Sequence, residues 1–242
     1  MPALGAVGGA IVGSFLATLC IRWPEGRQAM TGRSSCDHCG RALRVWELVP
    51  VLSGAISGEK CRSCGGRIAP LHFALEAGAG ALAGIALLLQ PNLTGVALAL
   101  LWLLLIALAV LDARHFWLPD TLNAVLAVAG LLLGGLATGA TLADRLIGGG
   151  SGFLALALIA LAYSRLRGRD GLGAGDPKML GAIGLWTGWA PLPAILILAS
   201  LTGLAIALVQ QRSASERMPF GALLAVAAIL WTAIAAARAA GF

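Results

Sequence analysis

The sequence predicts an all-α polytopic membrane protein of about eight transmembrane helices, carrying one small cytoplasmic loop built on four cysteines. Three observations predict it. The 242 residues are 59% hydrophobic and only 12% charged, far from the usage of soluble domains. The apolar residues fall in runs close to the roughly 20 needed to cross a hydrocarbon core. Finally, 15 of the 17 basic residues sit in alternate breaks between those runs, which is the pattern of cytoplasmic loops.

Spans are expected at 3–21, 71–89, 94–111, 120–138, 146–164, 177–189, 192–210 and 219–237. The stretch MPALGAVGGAIVGSFLATLC has no basic residue before Arg22 and no small-residue cleavage motif, so it reads as the first helix rather than a removable signal peptide. An even number of crossings puts both termini outside the cytoplasm. Loop 22–70 holds eight basic residues, from Arg22 to Arg67. Loop 112–119 holds Arg114; loop 165–178 holds Arg165, Arg167, Arg169 and Lys178; loop 211–218 holds Arg212 and Arg217. Only Arg145 and Arg238 fall on the other side. Topology and attraction to anionic headgroups thus account for the net charge of +6, and nucleic acid is not expected as a partner. The span at 177–189 is short, about 20 Å of helix, and irregular backbone near it would have to be buried or line a wet cavity.

Loop 22–70 contains Cys36-Asp37-His38-Cys39 and Cys61-Arg62-Ser63-Cys64. Two CxxC pairs at this separation suit a tetrahedral zinc site in which each pair supplies two sulfurs from one tight turn. Gly40 and Gly65 follow the pairs directly and suit that turn. A closed shell of four thiolates is structural, since it leaves no position for water or substrate. Redox chemistry of the same cysteines is the alternative, disfavoured by the reducing cytosol. His38 reads as a solvated loop residue and Cys20 as apolar packing.

Among the 11 acidic residues, Asp112 and Asp176 require a chemical explanation. Asp112 ends the apolar run LWLLLIALAVLD, and Asp176 heads a later helix within Gly173-Ala174-Gly175-Asp176-Pro177-Lys178. Both fall on the same membrane face, and ionisable residues at the hydrocarbon boundary are functional candidates. Two adjacent carboxylates share a proton, so one can deprotonate water while the other protonates a leaving amine. Gly173 and Gly175 would leave room for a substrate backbone. The competing reading is helix capping, for Asp176 before Pro177 and for Asp120 after Pro119.

These residues resemble the bacterial type IV prepilin peptidases, GxGD-class membrane aspartyl proteases. Asp112-Ala113-Arg114-His115-Phe116-Trp117-Leu118-Pro119-Asp120 looks like the family's first aspartate segment, and Gly173 to Lys178 looks like its GxGDxK segment. GSFLATLCIRWP at 13–24 and the four-cysteine stretch 35–76, ending on Glu76, are similar to its front half. The resemblance implies an aspartic endopeptidase that removes the basic leader of prepilins or secretion pseudopilins, after a glycine, at the cytoplasmic face of the inner membrane. It further implies N-methylation of the new terminus with S-adenosylmethionine. By motif position Asp112 and Asp176 are its catalytic pair, with Asp120 in a supporting role. Lys178 would orient Asp176 or meet a phospholipid headgroup. Glu76 and Arg22 are candidates for methyl transfer. Three positions depart from the pattern: Ala17 for asparagine and Asp170 for glutamate, which bear on methylation and leader preference, and Pro177 for a β-branched residue, which bears on the local backbone.

The reading divides the chain into 1–76, the first helix with the cysteine loop and the methyltransferase part, and 77–242, the peptidase helices. Its rivals are a membrane thiol oxidoreductase, for which the aspartates would be dispensable, and a proton-coupled transporter, which would place its carboxylates near midplane. Trp117, Trp186 and Trp189 are expected in an interfacial belt, the Gly/Ala-rich helix at 72–88 in close packing, and Arg145 in a local pair with Asp144.

Overall fold

In a computed structural model the described residues are 1–30, 33–58, 60–168, 171–211 and 217–241. Arg169, Asp170 and Arg212, named above, lie outside them. The chain is an all-α polytopic membrane protein, and seven of its helices among the described residues are long and apolar enough to cross a bilayer. They are α1 (Pro2–Arg22), α3 (Pro70–Leu89), α4 (Leu93–His115), α5 (Asp120–Thr138), α6 (Leu142–Arg167), α8 (Leu192–Val209) and α9 (Phe220–Ala239). Two shorter helices are α2 (Leu52–Ser57) and α7 (Asp176–Thr187). Two compact units divide the chain, Met1–Leu88 and Leu89–Phe242.

In the first unit, α1 and α3 approach through small residues. Gly5, Gly9 and Gly13 recur every fourth position, one helix face. A Cβ on Gly9 would lie 2.5 Å from the carbonyl oxygen of Ala79, and one on Gly13 2.5 Å from that of Leu75. This is the close packing expected of the 72–88 helix, and membrane helices depend on it because lipid gives no hydrophobic drive for association. Ala17 and Cys20 are buried on α1.

In the second unit, α4 and α9 run antiparallel in a register pinned at three levels. Gln90 donates to the Ala236 carbonyl at 3.2 Å, Trp102 Nε1 to Thr232 Oγ1 at 2.8 Å, and the Ala222 amide to Asp112 at 2.9 Å. The short helix α7 is the core: every residue but Lys178 and Leu185 is buried. It lies against α6 backbone to backbone, Gly148 meeting Gly184 and Gly149 meeting Gly181, a proximity that any Cβ would prevent. Trp186, expected at the interface, is instead fully buried and donates to the Leu126 carbonyl at 2.8 Å. Few residues of α6 and α8 are buried, Arg145, Gly148, Gly152 and Leu156 on the one and Leu192, Ile195 and Ala199 on the other, and their outward Leu and Ile side chains are suited to lipid.

Two expected local features differ. Helix α4 continues past 111 through Asp112 to His115 and closes when Phe116, left-handed at φ 49°, donates its amide to the Asp112 carbonyl; Arg114 and His115 in the last turn complement the helix dipole. Arg145 does not pair with Asp144. Adjacent helical residues point to different sides, and Arg145 turns inward to the carbonyls of Gly130 and Leu131, at 2.9 and 3.1 Å, while Asp144 accepts from Thr141 and Trp189.

Candidate active site

The C-terminus of α4, the N-termini of α7 and α9 and the α4–α5 connection meet at one end of the second unit. Asp112 and Asp176 are both buried there, at 6% and 4% exposure. Asp112 occupies the last turn of α4, and its Oδ2 accepts the Ala222 amide at 2.9 Å, with the Gly221 amide beside it. Those are among the first amides of α9, which have no partner within the helix and present its electropositive end. Asp176 is the first residue of α7, and its Oδ2 accepts the Gly173 amide at 2.9 Å while its own amide donates to the Gly173 carbonyl at 3.1 Å. The loop Gly173-Ala174-Gly175 is thereby folded back on the carboxylate. Asp176 Oδ1 is buried with no hydrogen-bond partner among the described residues.

Gly221 is the point of convergence. A Cβ built on it would lie 3.1 Å from Asp112 Oδ2 and 3.1 Å from Asp176 Oδ1, so the two oxygens are no farther apart than twice that distance. One is anchored by a helix N-terminus and the other has no partner among the described residues. An unpartnered, buried carboxylate oxygen is costly, and beside a second carboxylate it is a place where a proton or a water is held.

The capping readings do not describe these aspartates. Gly175 and Pro119 occupy the N-cap positions of α7 and α5, and neither helix has a side-chain cap. Asp120 instead accepts Lys178 Nζ at 2.6 Å, on the exposed side. This pair joins the starts of α5 and α7; Lys178 is bonded to Asp120 rather than to Asp176. The room at the two motif glycines is taken by the protein itself: a Cβ on Gly175 would meet Leu118 Cβ at 2.5 Å, and one on Gly173 would meet Asp176 Oδ2 at 3.2 Å. Sequence reasoning missed Gly221, Ala222 and Leu118. Pro219 before Phe220 signals a helix start, but nothing in the pattern pairs that start with Asp112. Asn123, one turn beyond Asp120 and 3% exposed, also went unnoticed; neither of its amide atoms has a partner among the described residues.

In the first unit the four cysteines come together, with all Sγ atoms within 4.8 Å of one another and Cys36 and Cys64 3.9 Å apart. The two pairs are built alike. Cys36 donates to the Arg41 carbonyl and Gly40 to that of Cys36, and Cys61 donates to Gly66 and Gly65 to Cys61, all at 2.8–2.9 Å. Gly40 and Gly65 have φ of 70° and 69°, the left-handed value that glycine adopts freely. A tetrahedron of Zn–S bonds of about 2.3 Å has edges near 3.8 Å, so the sulfurs fit a metal ion. The amides of Cys64 and Ser63 pull the Cys61 thiol down to about 6. The Gly66 amide likewise favours the Cys64 thiolate, yet desolvation and the neighbouring sulfurs push that thiol up to about 11. Four sulfurs so crowded cannot all be thiolates without a cation among them.

The loop is fastened on both sides. Arg22, at the end of α1, reaches Asp37 Oδ1 through Nε and Nη2, at 3.0 and 2.9 Å, and the Ser35 carbonyl at 2.9 Å; Arg27 adds a third contact to Asp37 at 2.9 Å. Burial acts to raise Asp37, but Arg27 and Arg22 hold its carboxyl below the usual range. Glu76, buried on α3, accepts the Val51 amide at 2.7 Å. His38 is exposed but not merely solvated: its Nε2 lies 3.0 Å from the Arg67 carbonyl, joining the two cysteine turns.

Residues 7–89 match the bacterial peptidase A24 N-terminal domain, and residues 98–208 match the type IV leader peptidase family. The chain is 39% identical over 198 residues to the prepilin leader peptidase/N-methyltransferase of Burkholderia pseudomallei (strain K96243), covering 80% of this chain and 64% of that protein. It is 37% identical over 225 residues to the protein of the same name from Dickeya chrysanthemi, with 90% and 76% covered. Against that of Pseudomonas aeruginosa, identity is 32% over 254 residues, with 92% and 88% covered. The chain thus spans just under two thirds of the Burkholderia relative. No solved structure matches it.

Proposed function

We propose, for a chain that belongs to the type IV leader peptidase family, that it is an aspartic endopeptidase acting at the membrane surface with Asp112 and Asp176 as the reacting pair. The observation that carries this reading is the convergence of Asp112 Oδ2 and Asp176 Oδ1 on Gly221. Two carboxyl groups this close hold one proton between them. The ionised member takes a proton from water as the hydroxide forms its bond to the scissile carbonyl carbon. The protonated member then gives its proton to the departing amine as the C–N bond breaks. The amides at the start of α9 keep Asp112 oriented, and the Gly173 amide does the same for Asp176.

The substrates in this reading are prepilins or pseudopilins, cut after a glycine that follows a basic leader, their apolar helices lying among those of the enzyme. The charge distribution supports eight passes through the inner membrane, with α7 as the short one and with the aspartates and the cysteine loop on the cytoplasmic side. Zinc would be held by Cys36, Cys39, Cys61 and Cys64, supplying a structural cross-link to a loop too small for its own core. Methylation with S-adenosylmethionine belongs to the reading only through the names of the relatives. Arg22 and Glu76 are bonded to the loop, to Asp37 and Ser35 and to Val51, and Arg22 also lines an open cavity of about 280 Å³ with Arg27, Ser35, Cys36 and Asp37.

The test is cleavage of a basic-leader prepilin in liposomes by the wild type and by Asp112→Asn, Asp176→Asn and Asp120→Asn, each checked for insertion. Loss in the first two with cleavage kept in the third supports the pair. Full activity of Asp176→Asn, or no cleavage by the wild type, ends the reading and makes the cysteine-based redox alternative the one to pursue.

A further inference from the structure

Within the four-cysteine loop, the segment from Val45 to Ile56 carries the side chains of a membrane surface. Val45, Trp46 and Ile56 are 81%, 56% and 74% exposed, and Leu48 and Val49 are exposed beside them. Large apolar side chains gathered on the outside of a fold mark a surface that something covers. The acid among them is already engaged: Glu47 accepts Arg41 Nη2 at 2.7 Å and the Arg44 amide at 2.8 Å. Arg44 lies over the Trp46 ring, 5.3 Å from its centroid, and Lys60, Arg62 and Arg67 are exposed a short way along the chain.

One hydrogen bond fixes the height of this segment. The Val51 amide donates to Glu76 Oε2 at 2.7 Å. Helix α3 has 20 residues from Pro70, about 30 Å of helix and so the thickness of a hydrocarbon core; its start therefore lies at the hydrocarbon boundary. Glu76 stands about 9 Å along the axis from that start. Side chains of a helix lean back toward its N-terminus by about one turn at most, which puts Val51 level with the first turns of α3, at or below the boundary. Its neighbours in the chain share that height. Interfacial elements sink their apolar faces about 5–10 Å into the boundary between headgroups and acyl chains, the same range. The segment is too short to cross the bilayer, and it is built of two short helical turns, Val45–Leu48 and α2, so it lies along the surface.

We propose that the segment from Val45 to Ile56 is an interfacial membrane insert, with Val45, Trp46, Leu48, Val49 and Ile56 seated among the acyl chains of the leaflet at which α3 begins and Arg44 at the headgroup phosphates. Trp46 has the type that favours this depth, and the exposed basic residues match anionic headgroups. In the topology proposed above the leaflet is the cytoplasmic one. Contact with lipid here is independent of the chemistry at Asp112 and Asp176, so loss of prepilin cleavage and loss of this contact are separate outcomes.

The test uses the full chain in vesicles of phosphatidylcholine and phosphatidylglycerol that carry bromine on the acyl chains, either close to the headgroup or close to the chain end. The emission of Trp46 is the difference between the wild type and Trp46→Phe, both checked for insertion. Bromine close to the headgroup is expected to quench that emission, bromine at the chain end to quench it less, and iodide in the water to leave it in place. Quenching by iodide and not by brominated lipid would put the segment in water and overturn the proposal. Emission that neither quencher reaches would mean that protein covers Trp46, another part of this chain or a second copy, and overturns it equally. Should Trp46→Phe fail to insert, the wild type with a photoactivatable phospholipid decides: label on the peptide containing Val45 to Val49 supports the insert, and label confined to the crossing helices sinks it.

Discussion

Asp112 and Asp176 reach the same point from two different helices, each with one carboxylate oxygen 3.1 Å from where a Cβ on Gly221 would stand. The space between them is therefore defined by a missing methyl group on a third helix. Gly221→Ala would put that methyl against both oxygens and within 2.7 Å of Leu118 Cδ1. Displacement of the pair by an ångström is enough for a loss of about a hundredfold. Prepilin cleavage should fall by that factor while insertion and helix content, read by circular dichroism, stay at wild-type levels; near-normal cleavage would show that the pair tolerates separation.

The Asp120–Lys178 bridge is largely exposed, at 75% and 42% for the two side chains. Exposed ion pairs contribute about 0–1 kcal/mol. A double-mutant cycle of Asp120→Asn and Lys178→Gln, followed by thermal unfolding in detergent, should give a coupling below about 1 kcal/mol. A larger value would mean that this contact sets the position of α7.

Metal removal should act on the first unit. With the four sulfurs within 4.8 Å of one another, zinc analysis is expected to give one ion per chain, lost in Cys36→Ser or Cys61→Ser. Chelation should make the segment between Cys39 and Cys61 sensitive to protease. Protection that is unchanged by chelator and by both variants would remove the metal from the account.

Glu76 and Val51 form the loop's anchor to α3. Val51 has φ 64°, a value strained for a β-branched residue, and its amide donates to the buried Glu76. A hydrogen bond to a charged acceptor contributes about 1.5–3 kcal/mol. In Glu76→Ala, hydrogen exchange at the Val51 amide should accelerate at least about tenfold, equivalent to about 1.4 kcal/mol, with exchange in the middle of α4 unaltered. Equal rates at Val51 would show that the loop holds this conformation without the carboxyl.

Much of the fold was legible because lipid imposes a simple rule: a crossing helix is a run of apolar residues. The expected span 120–138 and α5 coincide, and α8 differs from 192–210 by one residue. The same rule is silent about faces. Trp186 has the type of an interfacial residue but lies in the core, because Gly130 leaves room for its ring: a Cβ there would stand 2.6 Å from Trp186 Cδ1. Arg145 looked paired to its neighbour, although helix geometry turns adjacent side chains apart. Helix capping was the competing reading for Asp120 and Asp176, and neither side chain caps its helix: Lys178 takes the one carboxylate, and the amide of Gly173, in the loop just before α7, the other.

By itself the sequence determined the all-α membrane class, the four-cysteine cluster and the two aspartates as residues that need a partner, since hydropathy, CxxC spacing and a carboxylate at the end of an apolar run are properties of one stretch of chain. Tertiary structure alone decided that the two carboxylates converge on Gly221, that the first amides of α9 anchor Asp112, and that Leu118 fills the space beside them. Those relations join segments about 50–110 positions apart, at contacts set by backbone approach where glycines have no Cβ. Hydropathy carries no record of such pairings, because a glycine reads the same whether it faces lipid, a neighbouring helix or a pair of acids.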